Sequence, residues 1–154
     1  KKTYEQDIQE KNIRIVFDNL TLSLMMEVNV EQFSKVLAGI LKNSMYALLK
    51  KSETVTFSPE IFLGLKVNKD MLEITIRDNG SGIDENIKDK IFAPFFTTKT
   101  TGEAAGVGLY LCREIVQNHR GTIEVESKKG EYTQFLITIP VYQPKTITPP
   151  KEEE

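Results

Sequence analysis

Between Leu72 and Asp78 the chain alternates: Leu72, Ile74 and Ile76 are apolar, and the next residue in that series is a carboxylate. In a β-strand every second side chain shares a face, so the pattern predicts a strand whose inward face ends in Asp78. Few folds accommodate this. An inward carboxylate is costly to bury without partners, or it changes its protonation state, so something must donate hydrogen bonds to it. An ionised aspartate accepts and does not donate, which makes an amino group the matching ligand edge. Adenine carries one at N6 where guanine has a carbonyl oxygen, so the strand end predicts an adenine ligand. Asn79, Gly80, Ser81, Gly82 and Ile83 follow at once, and the two glycines permit positive φ and a close backbone approach to a flat ring. The alternative is a β-turn in which Asp78 and Asn79 are ordinary turn residues.

The flanking sequence supplies a second layer. From Val30 to Lys51, Phe33, Val36, Leu37, Ile40, Leu41, Ser44, Ala47 and Leu48 recur with a helical period. The same spacing places Gly39, Asn43, Tyr46 and Lys50 on one flank beside the apolar stripe. A second helix is predicted from Gly106 to His119, with Leu109, Cys112, Ile115, Val116 and His119 along one face. Short strands are predicted at Ile13 to Phe17 and Leu22 to Met26 around the turn at Asp18 and Asn19, and at Val55 to Leu65 and Met71 to Arg77. Pro59 interrupts a ladder, so the third of these should be an edge strand. Thr122 to Ser127 and Gln134 to Ile139 form a closing hairpin around Lys128, Lys129 and Gly130. Strands that precede, separate and follow two helices predict an α+β fold, a two-layer α/β sandwich with a mixed sheet on one side and helices on the other. Residues 1–11 read as the tail of an upstream helix or linker, 12–141 as the domain, and 142–154, rich in Pro, Thr, Lys and Glu, as a disordered linker.

Three further segments carry polar chemistry. Gly102 to Gly108 is glycine-rich and feeds the second helix, whose N-terminal amides and dipole suit a phosphate; a flexible capped loop is the alternative. Without GxxxxGK[ST] and without a strand directly before it, neither a P-loop nor a dinucleotide fold is supported. Ahead of it, Ile91, Phe92, Pro94, Phe95 and Phe96 lead into Thr97, Thr98, Lys99, Thr100 and Thr101, an anchor followed by a lid. Lys99 is a compact cation for a terminal phosphate, or simply a solvated loop lysine. The amide oxygen of Asn43 can enter the oxygen shell of Mg²⁺, which draws its remaining ligands from water and substrate phosphates; a half-buried helical asparagine with a local hydrogen bond is the alternative.

Charge and cysteine usage narrow the classes. A net charge of -2 from 20 basic and 22 acidic residues gives no global field towards nucleic acid or acidic lipid. One cysteine and one histidine make neither an internal disulfide nor a zinc cage, which predicts a reducing, cytoplasmic setting. No apolar run approaches bilayer length, so any membrane anchor belongs to the parent protein.

Taken in order, these segments resemble a known family. Asn43 in Leu41, Lys42, Asn43, Ser44 resembles its N box; Asp78 to Gly82 is similar to the first glycine box, DxGxG; Phe92 to Lys99 resembles the F box with its TTK. Gly106, Val107, Gly108 and Leu109 are similar to GxGL of the second glycine box, and Gly130, Thr133, Phe135 and Pro140 to the closing glycine-threonine segment. This is the pattern of the histidine-kinase branch of the ATPase superfamily shared with gyrase B, Hsp90 and MutL, and it covers roughly residues 12 to 141. The resemblance implies a Bergerat-type ATP-binding fold with an ATP lid. ATP and Mg²⁺ are the implied cofactors, with adenine against Asp78, Mg²⁺ on Asn43, and phosphates near Lys99 and the amides of Gly106 to Leu109. Gly80, Gly82, Ile83 and Thr133 are implied around the nucleotide, and Asn43 and Lys99 are the implied catalytic pair.

The implied reaction is transfer of the ATP γ-phosphate to a histidine on a separate dimerisation domain of the same protein, with a response regulator downstream and a homodimeric full-length protein. His119 is not the expected acceptor; it continues an apolar helix face before Arg120 and Gly121 and is read as a core or capping residue. Two positions depart from the pattern. Where hydrolysing relatives carry a glutamate one turn before the helix asparagine, this chain has Gly39, and where many kinases carry a cation three residues after it, this chain has Tyr46, with Lys50 one turn further on the same flank. Both departures keep a catalytically degenerate ATP-binding regulatory module as an alternative, while Gly39, which cannot act as a general base, counts against the other alternative, a stand-alone ATPase of the gyrase, Hsp90 or MutL kind.

Overall fold

The computed structural model describes residues 4–18, 26–94, 96 and 108–141. Helix α1 spans Tyr4–Glu10, strand β1 Arg14–Asp18, helix α2 Val30–Ser52, strands β2 and β3 Glu60–Asn68 and Met71–Asp78, helices α3 and α4 Glu85–Lys88 and Gly108–Asn118, and strands β4 and β5 Thr122–Lys128 and Tyr132–Pro140. The strands form one sheet in the order β1-β2-β3-β5-β4, parallel between β1 and β2 and antiparallel elsewhere. This is the expected α+β sandwich with a mixed sheet and helices on one face.

Alternation sets the two faces of the sheet. Leu72, Ile74 and Ile76 of β3 register with Ile139, Ile137 and Phe135 of β5, and all six are buried beneath the helices. Their neighbours Glu73, Thr75 and Arg77 point to the open face with Thr138, Leu136 and Gln134. Helix α2 presses Val36, Ile40 and Leu48 into this core, and α4 adds Cys112, Ile115 and Val116. The α2 N-cap is Asn29, whose side chain accepts from the Gln32 N–H at 3.0 Å, a cap that satisfies one orphan donor of the first turn.

Several expected boundaries move, for local reasons. β2 starts at Glu60, after Pro59, and lies inside the sheet between β1 and β3 rather than at its edge. Placed one residue before the strand, the proline withdraws no ladder donor, and its carbonyl accepts from the Arg14 N–H at 2.9 Å. The short helix α3 was not expected; Asp84 caps it by accepting from the Asn86 N–H at 3.0 Å. The described part of α4 spans Gly108–Asn118, its expected start at Gly106 lying outside the described residues, and the left-handed residue after the helix is Arg120 (φ 60) rather than Gly121. Gly121 serves packing instead: a Cβ there would stand 2.4 Å from the Thr138 carbonyl oxygen. Of the strand expected at Leu22 to Met26, only Met26 is among the described residues, and it lies in coil.

Candidate functional site

Asp78 ends β3 opposite Thr133 of β5 and is 2% exposed. One carboxylate oxygen, Oδ1, accepts from the Gly80 N–H at 3.0 Å. Burial pushes the carboxyl up to about 6 from its ordinary 3.8, and the Gly80 N–H, the Ser44 hydroxyl and the charges of Lys51 and Arg77 pull against that rise. The inward acid that the strand pattern predicted is thus present, desolvated and only partly satisfied by protein donors.

The loop that follows is held from both sides. Asn79 turns away from the cavity: its Oδ1 accepts from the Glu60 N–H and its Nδ2 donates to the Ser58 carbonyl, each at 2.8 Å, while Lys51 Nζ donates to its backbone oxygen at 2.8 Å. Gly80 is buried against α2, where an added Cβ would lie 2.7 Å from the Ala47 carbonyl carbon; this helix contact leaves no room for a side chain. The Ser81 N–H then donates to the Ala47 oxygen at 3.1 Å. Gly82 has φ +64, and a Cβ on it would stand 2.2 Å from the Lys128 carbonyl oxygen.

The β4–β5 turn grips the same loop: Gly130 N–H donates to Ser81 O at 2.6 Å and Ile83 N–H to Ser127 Oγ at 2.8 Å. Ser127 Oγ in turn donates to the Tyr132 carbonyl at 2.7 Å and lies 3.0 Å from Thr133 Oγ1. An ion pair of 2.7 Å between Lys129 and Asp84 crosses the outside of this junction.

These elements enclose a cavity of about 380 Å³, within the range of small-ligand sites. Asp78, Gly82, Ile83 and Thr133 line one end; Gly39, Asn43, Tyr46 and Lys50 line another along the α2 flank; Gly108 and Leu109 bring the N-terminus of α4. The flank predicted by helical spacing therefore faces the cavity as a unit. Asn43 Nδ2 donates to the Gly39 carbonyl at 3.1 Å, so its amide oxygen is the end left for a ligand. Of the expected site residues, Asn43, Asp78, Gly82, Ile83, Gly108, Leu109 and Thr133 meet around one cavity, with Gly80 directly behind the wall. Lys99, Gly106 and Val107 lie outside the described residues.

Sequence reading missed Ser44, a buried hydroxyl whose influence falls on Asp78, 34 residues away, Ser127, whose hydroxyl meets Thr133 six residues on, and Lys129 on the cavity rim. No short-range signal marks them.

Gly39 has a packing explanation. A Cβ at this position would stand 2.9 Å from Cys112 Sγ, where α4 crosses α2 and the thiol donates to the Val36 carbonyl at 3.6 Å. Burial raises the Cys112 thiol to about 11, which leaves it protonated and unreactive. His119 is occupied as expected of a structural residue. Its Nε2 accepts from the Asn29 N–H at 2.9 Å, its Nδ1 lies 2.7 Å from the Ile115 carbonyl, and its ring meets Phe33 edge-on at 6.2 Å. It ties the end of α4 to the start of α2.

Residues 29–143 match the family described as histidine kinase-, DNA gyrase B-, and HSP90-like ATPases. Among curated proteins, the chain is 33% identical over 149 residues to the sensor histidine kinase AtsR of Burkholderia thailandensis, covering 91% of this chain and 24% of that protein. It is 35% identical over 113 residues to sporulation kinase E of Bacillus subtilis, covering 73% of this chain and 14% of that protein. The chain thus spans less than a third of either relative. Among solved structures, the nucleotide-free catalytic domain of histidine kinase ThkA superposes with a TM-score of 0.73 at 29% identity, covering 89% of this chain and 84% of that one.

Proposed function

Because this chain belongs to the histidine kinase-, DNA gyrase B-, and HSP90-like ATPases and is an ATP-binding catalytic domain of the sensor histidine kinase kind, we propose that it transfers the γ-phosphate of ATP to a histidine on a dimerisation domain of its parent protein. The observation that carries this reading is the desolvated, acceptor-only carboxylate of Asp78 facing the same cavity as Asn43 and the α4 N-terminus. Adenine presents its amino group to Asp78, Thr133 and Ile83 border the purine, and the amides opening α4 receive phosphate oxygens. In this reading Gly106, Val107 and Lys99 extend the phosphate contacts from the lid.

The residues fit a magnesium ion of the substrate-borne kind. Among the described residues no three His, Cys, Asp or Glu side chains gather to cage a metal, and Asn43 offers one neutral oxygen beside the triphosphate, which suits an ion that takes the rest of its shell from water and phosphate. When bound, Mg²⁺ neutralises charge on the transferring phosphate. The protein's own part is positioning: phosphoryl transfer asks little covalent chemistry of the enzyme, and the nucleophile is the partner's imidazole. The domain proper is residues 12–141, and the parent works in the cytoplasm as a homodimer passing its phosphate to a response regulator. Among the described residues no helix is long and apolar enough to cross a membrane.

The Gly39 contact supports transfer over hydrolysis, since the helix position that supplies a carboxylate base in hydrolysing relatives is closed here by Cys112. Mixing the domain with Mg-ATP and its histidine-bearing partner should place acid-labile phosphate on that partner, with negligible turnover when the partner is omitted. ATP binding without any transfer would instead leave a regulatory module, the reading that Tyr46 in place of a cation favours.

A further inference from the structure

Three serines lie along α2 and behave differently. Ser34 Oγ donates to the Val30 carbonyl at 2.7 Å and Ser52 Oγ to the Leu48 carbonyl at 2.9 Å. That is the ordinary recourse of a hydroxyl in a helix. Ser44, between them, is fully buried, and its Oγ has no hydrogen-bond partner among the described residues. A buried, unpaired hydroxyl is unfavourable, and alanine would occupy the same turn with better helix propensity. The side chain has declined the carbonyl one turn back and is directed elsewhere.

Its neighbour is the Asp78 carboxylate, on which the hydroxyl acts to favour the ionised form. The backbone enforces the approach. Gly80 lets the loop close onto Ala47, and the Ser81 N–H donates to the Ala47 oxygen at 3.1 Å, so the Ser44–Ala47 turn of α2 is fastened to the end of β3. Gly80 N–H holds Oδ1 of the acid, and Ser44 approaches the same carboxylate from the helix layer. Ser44 does not reach the cavity, whereas Asp78 does.

We propose that Ser44 is a positioning residue for purine recognition: its hydroxyl donates to the Asp78 carboxylate when the exocyclic amino group of adenine engages it, fixing the acid as an oriented acceptor. The inference rests on the reading of Asp78 as the adenine acceptor. Ser44 acts only through that acid and touches neither purine nor phosphate. Its contribution is therefore confined to ligands with an amino group to offer, whereas a serine retained only for its small volume would support all purine nucleotides alike.

Calorimetric titration of the 154-residue chain with ATP and with purine riboside triphosphate, which lacks the amino group, separates these cases. The wild-type chain should prefer ATP. In Ser44→Ala, ATP should bind about tenfold more weakly while the deaminated analogue stays within about twofold, as expected for loss of one hydrogen bond to a charged group. Ser44→Cys, which keeps the volume with a weaker donor, should fall between. Equal loss for both nucleotides, or a preference for ATP that Ser44→Ala leaves intact, overturns the assignment of Ser44 alone. Equal affinity of the wild-type chain for both nucleotides removes the Asp78 reading itself, and this inference with it.

Discussion

Replacing Asp78 with asparagine should make the nucleotide-free domain more stable and a worse binder of ATP. The carboxyl is 2% exposed and its pKa is raised to about 6 from 3.8, chiefly by burial. At pH 8 that displacement corresponds to about 3 kcal/mol by which the ionised acid disfavours the folded state, since each pKa unit is worth about 1.4 kcal/mol. Asparagine keeps an oxygen for the Gly80 N–H and removes the charge, so Asp78→Asn should recover part of this, on the order of 1–3 kcal/mol. The pH dependence follows from the direction of the shift. Between pH 4 and 6 the folded chain retains a proton that the unfolded chain has released, so the wild type loses stability as pH rises through that window.

The variant's advantage should accordingly be largest at pH 8 and vanish near pH 4, in urea denaturation followed by circular dichroism. Binding should run the other way: at pH 8 the variant should lose about 1–3 kcal/mol for ATP, the scale of one mispaired polar contact. Wild-type affinity should decline below pH 6 as Asp78 takes up a proton, whereas the variant's should stay flat. A variant that loses stability and ATP binding together at every pH would refute the argument, because it would make Asp78 a structural keystone rather than a desolvated recognition group.

Gly80→Ala drives a Cβ to 2.7 Å from the Ala47 carbonyl carbon; it should cost about 1–3 kcal/mol by overpacking and lower ATP affinity with it, and an unchanged melting temperature would contradict the helix contact. Gly39→Ala should destabilise by about 1 kcal/mol or more despite alanine's better helix propensity, because of Cys112 Sγ at 2.9 Å. Adding Cys112→Ala should recover part of the loss as a positive coupling in a double-mutant cycle; additivity would place the strain elsewhere. Asn43→Ala should weaken Mg-ATP binding and phosphoryl transfer more than it weakens adenosine binding, and equal losses in calorimetry would count against a metal role.

What the sequence made legible was whatever repeats at short range. The two-residue period of β3 delivered Asp78 to the core face, and the helical period of α2 delivered Gly39, Asn43, Tyr46 and Lys50 to one cavity wall. What escaped depends on contacts between distant segments. Pro59 read as an edge signal because its effect was assigned to the strand rather than to the residue before it. Gly39 read only as a missing catalytic group, because the Cys112 thiol that fills its space arrives 73 positions later. Gly80 was credited with room for a ligand, and the room it also gives to helix α2 went unread. Asn79, given no role beyond the alternative of an ordinary turn residue, spends both ends of its amide on the approach to β2.

The clasp between the glycine loop and the final hairpin sets an order of events during synthesis. Ser81 and Ile83 wait for Gly130 and Ser127, and Asp78 has no register partner on its far side until Thr133 has been made. A ribosome-bound chain halted at residue 120 holds every cavity residue of α2 and β3 and still lacks the brace that shapes the purine end. The Asp78 end of the cavity is therefore complete only once the last hairpin is in place.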